Sequence, residues 1–409
     1  MELPEIQRAI KALPAESRRS LLAWLQEQER QDQELPSSAL ARKAAKPKAP
    51  TPLGRAVLWS VISLAAFFAV DAVIFRSGWY YNYLEPNSTT GQLESQLFWL
   101  RHERPNGVPE AAVIGDSRIA EGFSARKAGE VTGNRIHFWN LGVSGSSPRA
   151  WYYLLRDGDP THQRFKAITF GIDHYSDQDS SDNVANRITD LNYLIGRLRL
   201  IDCLDFSRSF PLPELQRPVL TGCLFKAVTL RRDVQSLLAN RKERFAAAKD
   251  WRNHGHGYID GYGGKPEELT GLTADFEKRT LKFPPGTKDW QRTTAQATVF
   301  PSEEPQTGEL TEYRKLWLGR IVDLYKDSGT RLIFLELPRA PLPTPDLKAP
   351  PRFIESIRNR PRVSVLPKDT FRDLEHPDVF ADGLHLNQTG RPIFSARLAQ
   401  KMAELAGAN

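Results

Sequence analysis

The sequence predicts a doubly wound α/β domain with a five-stranded, mostly parallel sheet, set behind one membrane-spanning helix and split by a large insertion. Three observations lead there. Five short, near-continuously apolar runs each close in a polar turn, with helical stretches between several of them. Residues 56–75 form one long apolar run, and residues 176–310 differ in character from the chain on either side.

Composition bounds the reading before any motif does. With 409 residues, 40% hydrophobic and 26% charged, most of the chain has the make-up of an ordinary soluble globular protein. That excludes a disordered chain or a polytopic membrane protein. The net charge of +7 is small for this length and scattered apart from one run before residue 56, so no nucleic-acid footprint is present. Two cysteines, Cys203 and Cys223, cannot build a disulfide scaffold and lack zinc-ribbon spacing. Stability has to come from a hydrophobic core.

Taken in order, residues 1–34 are expected to be a helical cytoplasmic segment, with Ile6, Ile10 and Leu13 on one face and Ser17 as an N-cap before Leu21, Leu22 and Leu25. A solvated tail is the alternative. Residues 35–55, with four prolines and several basic residues, read as a flexible basic linker. Residues 56–75 carry a single charge, Asp71, and a helix of about 20 residues spans about 30 Å of bilayer hydrocarbon. Arg42, Lys43, Lys46, Lys48 and Arg55 precede this span and only Arg76 closely follows, so the positive-inside rule keeps the N-terminus cytoplasmic and puts residues 76–409 outside. Trp79, Tyr80, Tyr81 and Tyr83 then suit an interfacial aromatic belt. Asp71, near the outer end, is either a snorkelling charge or a contact to a partner membrane protein.

The strands are expected in AAVIGDSR (111–118), IHFWNLGV (136–143), AITFGID (167–173), RLIFLELP (331–338) and VSVLP (363–367). Unbroken apolar runs fit strands buried on both faces, as in a parallel sheet. Helices are expected at 148–157 and 309–328. The insertion carries both cysteines, a basic amphipathic stretch at 226–249 and the loop NHGHGYIDGYGG at 253–264. It is expected to form a lid or subdomain over the carboxyl ends of the strands, where α/β folds bind ligands.

Three local patterns could carry chemistry. Gly115-Asp116-Ser117 ends the first strand, and a serine at a strand-to-helix turn can present its hydroxyl beside helix-start amides. Taken alone, the tripeptide reads first as a helix N-cap. Asp382 precedes His385 by three residues, close enough for a carboxylate to hold an imidazole tautomer. A surface turn with an incidental histidine is the alternative. Asn140-Leu-Gly142-Val-Ser-Gly145 could offer an unobstructed amide to a developing oxyanion, or be a plain glycine turn.

Together these residues resemble the SGNH (GDSL-type) hydrolase superfamily over residues 111–173 and 330–400. The resemblance implies a three-layer α/β/α domain, Ser117 as nucleophile, Asp382 and His385 as its partners, and the amides of Ser117 and Gly145 as oxyanion donors. The family's third block, G-x-N-D, departs here to Gly171-Ile-Asp173-His174. An ionised Asp173 accepts but cannot donate, so the oxyanion hole is two-membered, uses a protonated Asp173, or recruits another donor. SRIAEGFS (117–124) and NLGVSGSSPRAWYYLL (140–155) are similar to the membrane-anchored extracytoplasmic branch, which includes D-alanyl transfer and polysaccharide O-acetylation proteins. That implies a single-pass protein of the bacterial inner membrane with a periplasmic domain. Its substrate would be an envelope glycan or acylated carrier, its partner a membrane-bound O-acyltransferase, and it would need no cofactor.

Asp116, Arg118, Asn140, His174, His254 and His256 are candidate substrate contacts. His254 and His256 with Asp260 could in principle ligate a metal, but a glycine-rich loop gives them no fixed geometry, and a substrate or structural role is favoured over metal. Cys203 and Cys223 would pair outside the cytoplasm, for about 3 kcal/mol on the loop-entropy account, or remain as buried thiols. The rival to a serine esterase or O-acyltransferase is a catalytically silent scaffold that docks glycan or a membrane partner. A lipid-directed esterase would need an apolar lid, and the insertion is polar and basic.

Overall fold

A computed structural model describes residues 53–103, 105, 107–175, 184–254, 262–300, 309–344 and 351–407. The expected N-terminal helical segment, nearly all of the linker, His256 and Asp260 lie outside these residues. The chain divides into two compact units, 1–65 and 66–409. A helix runs over Leu53–Asp71 and continues as a wider turn over Ala72–Arg76. The stretch Ala56–Arg76 is long and apolar enough to cross a membrane.

Strands β1 (Glu110–Gly115), β2 (His137–Gly142) and β3 (Phe165–Ile172) are followed by a short hairpin, β4 (Thr273–Asp275) with β5 (Thr280–Lys282), and then by β6 (Arg331–Glu336) and β7 (Val363–Val365). The main sheet has the order β2-β1-β3-β6-β7 with every pair parallel. All five expected strands are present; the edge strand β7 is half-buried, while the apolar runs of β1, β2, β3 and β6 are buried on both faces. Alternate residues explain this. Ala112, Ile114, Ile168, Phe170 and Phe334 join one core with Trp151 and Trp317, from the helices Pro148–Gly158 and Glu309–Leu324. Ala111, Val113, Ala167, Ile333 and Leu335 join another with Phe394, Leu398 and Met402, from the helix Gly390–Ala406. Helices therefore cover both faces, which is the three-layer arrangement.

Local chemistry sets the helix ends. Pro148 sits in the first turn after Ser147, where its missing N–H costs nothing, and Gly407 closes the last helix at φ 66° in the left-handed region. At the sheet centre the rings of Phe170 and Phe334 stack 5.3 Å apart and are fully buried. Phe170→Ala would open a cavity worth about 3–5 kcal/mol. The chain leaves β1 toward β2 and returns across β1 to β3, so the crevice outside the carboxyl ends of β1 and β3 is the topological switch point.

The segment between β3 and β6 is not a single lid. Residues 262–299 pack on the C-terminal block: Gln388 donates to the Lys265 carbonyl, and Gln291 Nε2 to the Ala381 carbonyl. Residues 184–254 form a 3-10 turn and five α-helices that pack against residues 71–102 and against the helices Pro148–Gly158 and Glu309–Leu324, with Arg187 and Tyr193 reaching the turn after β2. The basic stretch becomes two helices, Lys226–Ala239 and Arg241–His254. Cys203 and Cys223 form a disulfide with Cα atoms 5.6 Å apart, tying the helix Asp202–Arg208 to Pro213–Leu224.

Two expectations near the apolar helix are corrected. Asp71 neither snorkels nor faces outward. It is buried, and its carboxylate accepts the N–H groups of Lys226 (3.2 Å) and Ala227 (2.6 Å), the opening amides of a helix whose own N-cap residue, Phe225, supplies no side-chain cap. A negative charge there answers both the orphan amides and the helix dipole. Arg76 does the converse, donating to the Cys223 and Leu224 carbonyls that end the preceding helix. Of the four aromatics assigned to an interfacial belt, Tyr80 and Tyr81 are instead core residues, with hydroxyls donating to Asp233 and to the Ile195 carbonyl, while Trp79 is exposed.

Candidate active site

β1 ends at Gly115, and a side chain there would collide with Ile119, 2.5 Å from the added carbon. The Asp116 carboxylate accepts the Arg118 N–H at 2.9 Å and so caps the short helix Ser117–Gly122, leaving Ser117 as its first residue. The serine is thereby turned out at the switch point, half-buried.

His385 comes to it from a tight turn near the C-terminus. Ala381 N–H donates to the His385 carbonyl at 2.8 Å, Phe380 bridges Leu386, and Asn387 Oδ1 accepts from Thr389 and Gly390 to start the last helix. Within that turn Asp382 Oδ1 accepts the amides of Leu384 (2.7 Å) and His385 (2.9 Å). His385 Nδ1 lies 3.0 and 2.9 Å from the two carboxylate oxygens of Asp382, and Nε2 lies 2.8 Å from Ser117 Oγ. The network assigns the proton to Nδ1, leaving Nε2 to accept from the serine hydroxyl. Burial alone would raise the Asp382 pKa, but the His385 hydrogen bond and charge and the two amides outweigh it and hold it down to about 2. The carboxylate is therefore ionised wherever the imidazole has to be held.

Gly145 follows β2 with φ +69°, and a side chain there would meet the Tyr193 hydroxyl at 2.7 Å. Among the described residues no acceptor takes its N–H. Its carbonyl accepts from Arg187 at 3.0 Å, and the Tyr193 hydroxyl donates to the Ser144 carbonyl, so the turn is held from both sides.

Asp173, directly after β3, is ion-paired with Arg118. The same guanidinium reaches Asp116 at 2.7 and 3.2 Å. Burial works against an ionised Asp116, yet Arg118 keeps its pKa below the ordinary carboxylate value. Asp173 thus has an acceptor's role toward Arg118. That pairing favours Asp173 as an acceptor toward Arg118 over its reading as a protonated oxyanion donor. Asp116 and Arg118 stand beside Ser117 as expected, tied to each other.

Other expected contacts fall away from the reacting centre. Asn140 is buried; Nδ2 donates to the carbonyls of Ile119, Ala120 and Phe123, and Oδ1 accepts the Gly142 N–H, so it is a scaffold residue bracing the nucleophile's helix. His174 is buried and its carbonyl accepts from Arg314. His254 ends an exposed helix and pairs with Asp250 at 2.8 Å.

Two residues join the site that the sequence did not announce. Lys265 Nζ lies 2.8 Å from Glu121 Oε2 and 3.3 Å from Asp382 Oδ2. Burial opposes its charge, but the two carboxylates raise its pKa above the ordinary lysine value. Glu121, four residues after Ser117, was within reach of a helical-spacing argument; Lys265 was not.

No protein-family model matches this sequence, and no curated protein matches it.

Proposed function

We propose that this chain is a membrane-anchored serine esterase or O-acyltransferase that acts on cell-envelope polysaccharide or a related glycan. The supporting observation is the continuous path from Asp382 through His385 to Ser117 Oγ, with 2.9 and 2.8 Å contacts at a topological switch point. In this reading Ser117 Oγ attacks the acyl carbon and its proton passes to His385 Nε2. The Ser117 and Gly145 amides hold the oxyanion, which is worth about 2.7–4 kcal/mol for one such donor. The C–O bond to the leaving alcohol then breaks, His385 returns the proton to that oxygen, and an acyl-Ser117 ester remains. Water or a glycan hydroxyl gives its proton to His385 and attacks the ester, the acyl C–Oγ bond breaks, and His385 returns that proton to Ser117 Oγ to restore the serine. No cofactor enters these steps.

The apolar stretch 56–76 supports an inner-membrane anchor, and the basic residues before it support a cytoplasmic N-terminus with the domain in the periplasm. A membrane-bound O-acyltransferase is the partner this reading implies. Asp173 favours the second reading, a silent scaffold, since it stands in the sequence where the resembled family has a donating asparagine and its carboxylate is paired with Arg118. A fluorophosphonate probe decides between them. Labelling of the native chain, lost in Ser117→Ala, is expected of the enzyme, and equal absence of labelling in both is the scaffold's result. A reporter fused after Asn409 is expected to be active in the periplasm alone, and cytoplasmic activity would reverse the orientation.

A further inference from the structure

A cavity of about 540 Å³ lies away from the triad, between the end of the apolar helix and the helical part of the insertion. Arg76, Arg101, Arg156, Arg197, Arg199 and Lys226 line it, against the single carboxylate of Asp157. Neighbouring acids satisfy three of these cations: Arg156 pairs with Asp157 and Asp202, Arg197 with Glu94, and Arg199 with Asp157. The other three, Arg76, Arg101 and Lys226, have no carboxylate within ion-pair distance among the described residues. Lys226 is 2% exposed, with Nζ spent on the Tyr81 hydroxyl and the Gly196 carbonyl. Arg76 Nε is buried with no partner. Burial, followed by the charges of Arg76 and Arg197, pulls the Lys226 pKa down to about 7. Of the three, Lys226 is buried, Arg76 half-buried and Arg101 exposed, and a buried cation with no carboxylate at hand is costly, a cost that an anion in the cavity lowers.

The position of the cavity narrows the anion. Arg76 is the last residue of the stretch long enough to cross a membrane, so the cavity opens where such a helix leaves hydrocarbon for the headgroup layer. Leu200 lines the cavity at 49% exposure and Ile201 beside it is 84% exposed, which gives the basic hollow an apolar lip. Guanidinium groups match phosphate oxygens in geometry as well as charge. We infer that this cavity holds the phosphate headgroup of an anionic membrane lipid, with Arg76 and Arg101 on the phosphoryl oxygens, the buried charge of Lys226 beneath them, and the acyl chains leaving past Leu200 and Ile201. The inference rests on the reading that residues 56–76 cross a membrane, and is independent of the serine chemistry.

The full chain carrying Ser117→Ala, in nonionic detergent, tests it by calorimetry without any turnover of lipid esters. Dihexanoyl phosphatidic acid is expected to bind saturably, inorganic phosphate to bind more weakly and compete, and dihexanoylglycerol not to bind. Arg101→Glu, an exposed position without an ion pair, is expected to weaken phosphatidic acid at least tenfold with cooperative unfolding retained, and the distant Lys401→Glu to leave it unchanged. Absence of saturable binding by both anions, or equal affinity in Arg101→Glu, overturns the site. Phosphate binding as tightly as phosphatidic acid overturns the lipid assignment. Failure of the reporter fusion, with phosphate binding intact, would count against the membrane reading and not against the anion site.

Discussion

Lys265 Nζ stands 3.3 Å from Asp382 Oδ2, joining the insertion to the triad's carboxylate across 117 residues of sequence. The same ammonium neutralises Glu121, whose side chain is 9% exposed. Lys265→Met removes this counter-charge from a largely buried carboxylate and is expected to cost about 1–3 kcal/mol. Adding Glu121→Gln should recover part of the loss, since contacting groups are not additive. Denaturant midpoints for the two single variants and the double variant check this; strictly additive losses would mean that the contact contributes nothing.

Ser117→Ala and His385→Ala are each expected to lower hydrolysis of a simple acetyl ester by about 10³-fold or more, and the double variant to be little worse than either, because the two residues act as a unit. Multiplying losses, or turnover that survives without Ser117, would remove the serine mechanism.

Asp382 gives stability a defined acid limb. Its folded pKa of about 2 lies below the unfolded carboxylate value of about 3.9. The unfolded state therefore binds the proton first as pH falls. The contribution is fully present above the unfolded value and is lost as pH drops through the folded one. Melting temperature should fall more steeply between pH 5 and 2.5 in the native chain than in Asp382→Asn, and parallel acid limbs would rule this out.

The ion pair between Asp173 and Arg118 separates two outcomes for Asp173→Asn. If the carboxylate serves to hold Arg118 for the acyl acceptor, transfer to a glycan hydroxyl should fall while hydrolysis is unchanged. A tenfold rise in hydrolysis, equivalent to about 1.4 kcal/mol, would instead show that the new amide reaches the oxyanion. Both rates are to be measured on one preparation.

Asp71→Ala removes the acceptor for two helix-start amides and is expected to cost about 1–2 kcal/mol, with Asp71→Asn costing less because one amide oxygen remains. Unfolding of the chain in detergent reads the difference. Equal stability of all three chains would mean that water caps the 226–239 helix as well as Asp71 does.

The amino-acid sequence by itself determined the five strands of the main sheet, the helices Pro148–Gly158 and Glu309–Leu324 and the apolar stretch 56–76, because each is written in the local periodicity of its own residues, whereas the β4–β5 hairpin was not legible there. The partnership of Asp382 with His385 was legible for the same reason, since three residues of spacing fit a single turn. That Ser117 meets His385 followed from motif order only as an expectation. The 2.8 Å approach depends on a parallel sheet bringing β1 beside the C-terminal turn. Tertiary structure alone decided the rest. Asp71 caps a helix 155 residues away, Lys265 reaches Asp382, and Tyr80 and Tyr81 are buried where an isolated span would have left them at an interface. The physical reason is that a charge or a hydroxyl has no local signature of its partner: burial makes a partner obligatory, and only packing determines which distant group supplies it.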